Sequence, residues 1–152
     1  MTAFRRLAAW RRSHALAVHV HDITGRSAFA DQPALALELR RAAIEIPGHV
    51  AEGSGYAGGS GFAQSLELAL CVARRLHSHA VLARDLRTLT TSEFARLDAR
   101  VDEVCRILVG LRRTVLAQPP RSSAFGTRGK PAVSNSDSQR KPRVRQRPRS
   151  IG

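Results

Sequence analysis

The chain has 152 residues, 43% of them hydrophobic and only 5% aromatic, which allows one aliphatic domain with or without a tail. Twenty-five Lys and Arg against 12 Asp and Glu give a net charge of +13, which favours a polyanionic partner. No apolar run approaches the ~20 residues that span a bilayer, and no signal-peptide core follows Met1. We therefore expect a cytoplasmic protein with no membrane partner.

The first predicted helix runs from about Phe4 to Ile23 and ends at the sequence Thr24-Gly25-Arg26-Ser27. Residues spaced three and four apart define its predicted core face, which comprises Leu7, Trp10, His14, Ala17 and His21 and is widened by Leu16, Val18 and Val20.

The second predicted helix begins near Asp31, a favourable N-cap, has Pro33 in its first turn, and ends at Gly53. Its predicted core face comprises Leu35, Leu39, Ala42, Ile46, His49 and Gly53. Pro47 interrupts this face, and a proline inside a helix removes one backbone hydrogen bond at a cost of ~3 kcal/mol. Packing must offset that cost, so we predict a continuous, kinked helix with Ile46 and Val50 in the core.

The third predicted helix starts after Ser60 and reaches about Arg87. Its predicted core face comprises Phe62, Leu66, Ala69, Ala73, Leu76, Ala80 and Ala83. From Leu66 to Ala73 only Glu67 is charged, and a helix that is apolar on nearly all sides must be covered on more than one side. The apolar surface of the third helix therefore predicts that the protein self-associates. Cys71 and Cys105 occupy apolar helical positions, which predicts buried, reduced thiols.

The sequence Thr90-Thr91-Ser92-Glu93 is a capping box, which predicts the start of a fourth helix. An unbroken apolar heptad follows, with Phe94, Leu97, Val101, Val104, Leu108, Leu111 and Val115. The opposite face is charged and comprises Arg96, Arg100, Asp102, Glu103, Arg106, Arg112 and Arg113. Since no strand pattern competes, the sequence predicts an all-α, up-down-up-down four-helix bundle over residues 1–117.

Residues 118–152 form a predicted second region, a disordered tail rich in Arg, Pro and Ser. The tail has nine Lys or Arg and one acidic residue, Asp137. Its most basic run is a candidate nucleic-acid contact and comprises Arg140, Lys141, Arg143, Arg145, Arg147 and Arg149. The alternative is a GC-rich coding bias, which would also explain why only two lysines occur in the chain.

Three segments resemble a known family. In the first segment, near the start of the chain, an aromatic residue is followed by Leu and Trp. The second segment, from Arg40 to Gly53, contains in order Arg-Arg-Ala, Ile-Pro and Val-Ala-Glu-Gly. The third segment is a helix that begins with an aromatic residue. The residues in the outer two segments are Phe4, Leu7, Trp10, Phe62, Leu66, Leu68, Ala69, Leu76, Leu82, Ala83 and Leu86. Together, over residues 4 to about 115, they resemble the small bacterial four-helix-bundle family encoded in intervening sequences of large-subunit ribosomal RNA genes. That family includes the accessory protein of diversity-generating retroelements.

The resemblance implies a ring-like homo-oligomer, a pentamer, with no catalytic centre. Through the retroelement relatives it also implies binding to nucleic acid and to a reverse transcriptase. Four positions depart from the family pattern: Glu45 replaces a usual serine, His49 a usual asparagine, and Arg75 and His77 usual glutamates.

Basic residues on the second and third helices are candidate nucleic-acid contacts, because the planar guanidinium binds phosphate through two hydrogen bonds. These candidates are Arg40, Arg41, Arg74, Arg75, Arg84 and Arg87. The alternative is internal ion pairing with the nearby Glu38, Glu45 and Glu67.

Other patterns favour structural roles over chemistry. The histidines lack the paired Glu-x-x-His motifs of di-iron bundles, so we expect no metal and no other cofactor. The glycine-rich segment 53–61 joins two helices and lacks the Lys-Ser/Thr of a phosphate-binding loop. His49 and Glu52 lie one turn apart, and a charge-assisted hydrogen bond or a subunit contact is favoured over an acid–base pair.

The sequence thus predicts a non-enzymatic, homo-oligomeric accessory protein that binds RNA or DNA electrostatically. The alternative is a protein–protein interaction scaffold with no nucleic-acid role. The first hypothesis predicts arginines clustered on the assembled surface, and the second predicts scattered arginines paired with Asp and Glu.

Overall fold

Four α-helices account for most of the residues that the structure, a computed structural model, describes, namely 3–56 and 58–117. They are α1 (Ala8–Thr24), α2 (Pro33–Gly53), α3 (Gly59–Asp85) and α4 (Thr91–Ala117). Each helix packs against the next in chain order, and α1 also packs against α4. No strand occurs within this range. The predicted all-α, up-down-up-down four-helix bundle is confirmed, whereas the predicted tail of residues 118–152 lies outside the described residues.

The core is aliphatic, as the low aromatic content predicts. Its largest fully buried apolar side chains are Leu16, Leu39, Ile46, Leu66, Leu76, Leu97, Leu108, Val20, Val50 and Val104. Small residues complete the inner faces of α2 and α3, where Ala42, Ala43, Ala69, Ala73, Ala80 and Ala83 have almost no exposed surface. At the end of α2, a Cβ atom on Gly53 would lie 2.6 Å from Ser65 Cβ and 2.7 Å from Phe62 Cδ2. The start of α3 therefore packs on α2 so closely that only glycine fits.

Helix α2 continues through Pro47 without a break. Ile46 and Val50 are both 0% exposed, so the prediction that they flank Pro47 in the core is confirmed. Pro47 is buried as well. Its fixed φ is compatible with the helix, and burial of its neighbours offsets the lost backbone hydrogen bond.

The observed helix ends agree only in part with the ends predicted from the sequence. The capping box of α4 is confirmed, because the Glu93 N–H donates to Thr90 Oγ1 (3.2 Å) and the Thr90 N–H donates to Glu93 Oε2 (2.9 Å). The prediction of Asp31 as the N-cap of α2 is wrong, since Gln32 occupies that position and no side chain caps the helix. Two 3-10 turns were not predicted; they span Ala3–Arg6 and Ser27–Phe29.

The predicted core face of α1 is wrong in part, because Leu16, Ala17 and Val20 are buried but the centre of the buried face is rotated away from His14 and His21. His14 and His21 are exposed, and the buried residues are Ala9, Ser13, Leu16, Ala17, Val20, Ile23 and Thr24. The two hydroxyls in this set are buried because each donates a hydrogen bond within its own helix. Ser13 Oγ donates to Ala9 O and Thr24 Oγ1 to Val20 O, each at 2.7 Å. A pattern that counts only apolar residues misses positions satisfied in this way.

The prediction of two buried cysteines is wrong for Cys71, which is exposed, while Cys105 is half-buried. Cys71 lies on the outward side of α3, where apolar residues are not covered by the rest of the bundle. Burial raises the pKa of the Cys105 thiol, Asp102 raises it further, and Arg74 opposes both.

Candidate nucleic-acid interface

Arginine is the only basic residue type besides histidine in residues 1–117, where sixteen Arg exceed eleven Asp and Glu by five. Six of these arginines have a carboxylate oxygen within 4.0 Å. The pairs are Arg12–Glu103, Arg26–Glu93, Arg41–Glu38, Arg75–Glu45, Arg84–Asp85 and Arg112–Glu67. Four of the six pairs join different segments of the fold, so much of the bundle's charge is neutralised by its own tertiary structure.

The candidates Arg40 and Arg41 are adjacent but point in different directions, because successive helical residues are about 100° apart. Arg40 Nε donates to Thr24 Oγ1 at 2.7 Å and thereby joins α2 to the end of α1. The guanidinium of Arg41 is exposed, 3.7 Å from Glu38. Arg40 is therefore held within the fold, whereas Arg41 is exposed to solvent beside an acidic neighbour.

Arg74 and Arg75 are separated in the same way. Arg75 pairs with Glu45 across the α2–α3 boundary. Arg74 lies on the side of α3 that faces α4, where its charge acts on the Cys105 thiol. Among the described residues, no carboxylate oxygen lies within 4.0 Å of Arg74.

Arg84 and Arg87 lie at the end of α3. Arg84 donates two hydrogen bonds to Asp85 Oδ1, at 2.9 and 2.8 Å, and its guanidinium carbon lies 4.7 Å from the centre of the Phe94 ring. Arg87 has a left-handed backbone, with φ of 59°, and terminates the helix. The structure therefore does not bring the six candidates of the bundle onto one surface. The candidates from Arg140 to Arg149 lie outside the described residues.

Helix α4 has the largest set of arginines without an acidic partner. Arg96, Arg100, Arg106 and Arg113 are exposed, and no carboxylate oxygen of the described residues lies within 4.0 Å of them. The sequence pattern placed these four on a charged face but did not identify them as a site. It could not do so, because the acidic residues that neutralise other arginines come from distant segments.

His19 shows that the boundary between α1 and α4 is electropositive. Its pKa is lowered by burial first, then by Arg100, with smaller contributions from Arg26 and Arg96 and an opposing one from Asp22. Its Nε2 atom is buried without a hydrogen-bond partner among the described residues. Since the ordinary pKa of histidine is already below 7, His19 is neutral at pH 7.

Two apolar surfaces lie elsewhere on the bundle. The first is a groove of about 460 Å³ between α1 and α2, here called the α1–α2 groove, whose lining includes Trp10, His14, Val18, Ile44, Pro47 and Gly48. The second, the α3 outer stripe, comprises Leu68, Cys71, Leu82 and Leu86, whose leucines are 47–49% exposed. The α3 outer stripe shows that α3 exposes apolar residues on its outer side, near its start and near its end, with Arg75 between them.

A family model described as "23S rRNA-intervening sequence protein" matches residues 5–110, from the turn before α1 to most of α4. The chain belongs to this 23S rRNA-intervening sequence protein family. No curated protein matches the chain.

The departures from the usual pattern of the 23S rRNA-intervening sequence protein family take part in polar contacts. Glu45 and Arg75 are the two partners of a single ion pair. His77 Nε2 lies 2.9 Å from Asp98 Oδ1 on α4. His49 Nδ1 lies 3.6 Å from Glu52 Oε2, which is too long for the predicted hydrogen bond. Three of the four departures therefore tie one helix to another.

No helix within 3–56 and 58–117 has an apolar stretch long enough to cross a membrane. The same residues contain no group of three or more His, Cys, Asp or Glu placed to hold one metal ion.

Proposed function

We propose that this protein is a non-enzymatic, homo-oligomeric accessory protein that binds RNA or DNA through phosphate contacts. The observation that carries the proposal is the arginine excess, which gives a net charge of +13 over the chain and +5 over residues 1–117. Such an excess supports binding to a polyanion, and arginine suits phosphate better than lysine does. The description of the family, which refers to ribosomal RNA intervening sequences, is consistent with an RNA-related role.

The aromatic residues give little support for base-specific recognition. Trp10 already stacks on His14, with ring centres 4.8 Å apart and an interplanar angle of 11°. Phe94 is covered by Arg84 and lies beside His77. These two rings are engaged within the protein, so among the described residues Tyr56, which is 57% exposed, is the aromatic side chain most open to base stacking, and one such ring is a small platform for base readout. Binding should therefore be electrostatic and weakly sequence-specific.

Self-association is supported by the two separate apolar surfaces. A two-fold dimer uses one self-complementary patch, whereas a head-to-tail contact joins two different patches and closes into a ring when the rotation permits. The α1–α2 groove and the α3 outer stripe are different patches on different helices. They favour a head-to-tail contact, in agreement with the pentamer that the family resemblance implies.

The retroelement hypothesis is the more specific form of this proposal. It holds that the protein assists a reverse transcriptase, as the resemblance to retroelement accessory proteins implies. A reverse transcriptase gene and a variable repeat beside the coding gene would support it. A location within a ribosomal RNA gene would contradict it and would leave the general nucleic-acid proposal intact.

A scaffold without a nucleic-acid role is the second candidate. It is favoured by the six ion pairs, because paired arginines contribute less positive potential at the surface. Under this alternative, the charge is incidental and the apolar surfaces bind protein alone.

A salt titration of RNA binding distinguishes the two candidates. Full-length protein should bind RNA at low salt, and the logarithm of its affinity should fall by roughly 0.7–0.9 per displaced contact for each unit of log salt. A variant ending at Ala117 should show a slope flatter by several units, because residues 118–152 contain most of the excess charge. Absence of binding by the full-length protein would leave the scaffold alternative. Light scattering of the same samples tests assembly, and a monomer mass would contradict it.

A further inference from the structure

We propose that the exposed side of α4 is the surface of the bundle that binds the nucleic-acid backbone. The residues assigned to this surface, here called the α4 arginine face, are Arg96, Arg100, Arg106 and Arg113. The inference rests on the proposed function and replaces the α2 and α3 arginines as the principal contacts within the bundle.

The first argument is the freedom of these guanidinium groups. An arginine already paired with a carboxylate must lose that partner, or share it, before it binds a phosphate, which reduces the net gain. Arg75 and Arg84 are held in this way by Glu45 and Asp85. The four arginines of the α4 arginine face have no such partner within 4.0 Å among the described residues.

The second argument concerns the acidic residues of α4, which would otherwise repel phosphate. Three of them are engaged by side chains of other elements: Glu93 by Arg26, Asp98 by the His77 imidazole and Glu103 by Arg12. Arg12 thereby neutralises Glu103 at the edge of the α4 arginine face. Asp102 is the exception, since it is exposed and has no ion pair within the described range.

The third argument is the spacing of the four arginines. At 1.5 Å per residue, Arg96 and Arg113 are about 26 Å apart along the helix axis. This distance corresponds to roughly seven or eight nucleotides along one strand of B-form DNA. Helical rotation places Arg96 and Arg100 on the side that faces α1, where both act on His19. Arg106 and Arg113 point outward, so the charges form a diagonal band that one strand can follow.

The composition between the arginines favours nucleic acid over a protein partner. Protein interfaces depend on a few large buried anchors, mainly aromatic residues and arginine surrounded by apolar contacts. The exposed residues between the charges on the outward side include Ala99, Asp102 and Gly110, and a Cβ atom on Gly110 would meet nothing within 4 Å. The exposed apolar residues of α4, Val109 and Leu116, lie by helical rotation on the side that faces α3. The α4 arginine face is therefore open, flat and positively charged.

The test compares two full-length variants that lose the same number of charges. The first is R96Q/R100Q/R106Q/R113Q, and the matched control is R40Q/R41Q/R74Q/R75Q. Glutamine has a helix propensity similar to that of arginine and removes the charge. We expect the first variant to bind RNA at least tenfold more weakly at low salt and to show a salt slope flatter by about 3 units if one protomer's face is engaged. The control should change the slope by less than half as much.

Each outcome has a separate meaning. If the wild type binds RNA and the two variants lose affinity equally, or the control loses more, the α4 assignment is overturned and the proposed function stays in place. No binding by the wild type would instead refute the proposed function itself. Equal or tighter binding of polyglutamate than of RNA, lost in the same variant, would assign the surface to an acidic protein and overturn the inference. Circular dichroism verifies folding, and if the fourfold variant is unfolded, R96Q/R100Q and R106Q/R113Q provide the same comparison in two halves.

Discussion

Helices α3 and α4 have the same length, 27 residues, and pack against the same core, but the outer face of α3 carries more exposed leucine and that of α4 more unpaired arginine. The outer stripe of α3 exposes Leu68, Cys71 and Leu82, whereas α4 exposes the four arginines of the α4 arginine face. The inner faces are alike because both must fill one aliphatic interior. The outer faces indicate what kind of partner each helix binds outside the bundle. An exposed apolar surface favours contact with another protein surface, and unpaired arginines favour contact with a polyanion.

The largest predicted effect concerns the interior that both helices share with α2. Ile46 is 0% exposed, so Ile46→Asp would bury an unpaired charge and should cost about 4 kcal/mol or more, enough to unfold a marginally stable bundle. Leu37→Asp is the matched control in the same helix, because Leu37 is 57% exposed and its substitution should change stability little. Thermal melting by circular dichroism measures both. Equal melting temperatures for the two variants would show that the assignment of interior and exterior on α2 is wrong.

The next largest predicted effect tests the different roles assigned to the outer faces of α3 and α4. If α3 is covered by another copy, Leu68→Glu with Leu82→Glu should weaken self-association by roughly 100-fold or more, because two charges would be desolvated in an apolar contact. Ala99→Glu with Thr114→Glu places the same charges on the outside of α4 and should leave the oligomer mass unchanged. Sedimentation velocity over a concentration series measures the difference. Dissociation of the α4 variant instead would reverse the roles assigned to the two faces.

A smaller effect is expected at the start of α4. The pKa of Glu93 is lowered mainly by the Thr90 backbone N–H, then by the Thr90 hydroxyl, and also by Arg26, against an opposing effect of burial. A carboxylate whose folded-state pKa is depressed stabilises the protein above its unfolded pKa, and this contribution disappears as pH falls through the folded pKa. Glu93→Gln should therefore cost about 1 kcal/mol at pH 7. Denaturant titrations should show the difference from wild type vanishing in acid, and a pH-independent difference would exclude the ionised cap.

The smallest effect is expected at the edge of α3. The Glu45–Arg75 ion pair is partly exposed, so a double-mutant cycle with alanine should give a coupling energy of about 0.5 kcal/mol, decreasing with salt. The exchanged pair, Glu45→Arg with Arg75→Glu, should recover most of that coupling. A coupling energy near zero would mean that these two departures from the family pattern are independent.

Apolar spacing was sufficient to predict the inner faces of α3 and α4, since Leu66, Leu76, Leu97 and Leu108 repeat at intervals that only a helix places on one side. The same reasoning was wrong in part for α1, where Ser13 and Thr24 are buried with their hydroxyls bonded inside the helix and His14 is exposed. Spacing also did not distinguish Cys71, which is exposed, from the buried apolar residues around it. On a helix that is apolar on nearly all sides, periodicity cannot identify the side that meets the core.

The candidate site was less predictable than the fold. The type of residue, arginine, and its excess over acidic residues were evident from composition alone. The availability of each guanidinium was not, because Arg12 is neutralised by Glu103 and Arg26 by Glu93, residues far away in the chain. The six candidates on α2 and α3 were chosen as adjacent basic pairs, and adjacency on a helix separates side chains rather than clustering them.

The sequence by itself determined the helical class, the number of helices, the capping box of α4 and the family to which the chain belongs. Each of these depends on local spacing or on a contiguous motif such as the Ile46-Pro47 segment, so each can be recognised before the chain is folded. Only the tertiary structure decided which side of α1 is buried, that Glu45 and Arg75 pair, and which arginines remain without acidic partners. Those properties depend on how helices that are distant in the chain rotate and contact one another. Whether two charged side chains pair depends on a separation of a few ångströms between them, which no linear sequence pattern specifies.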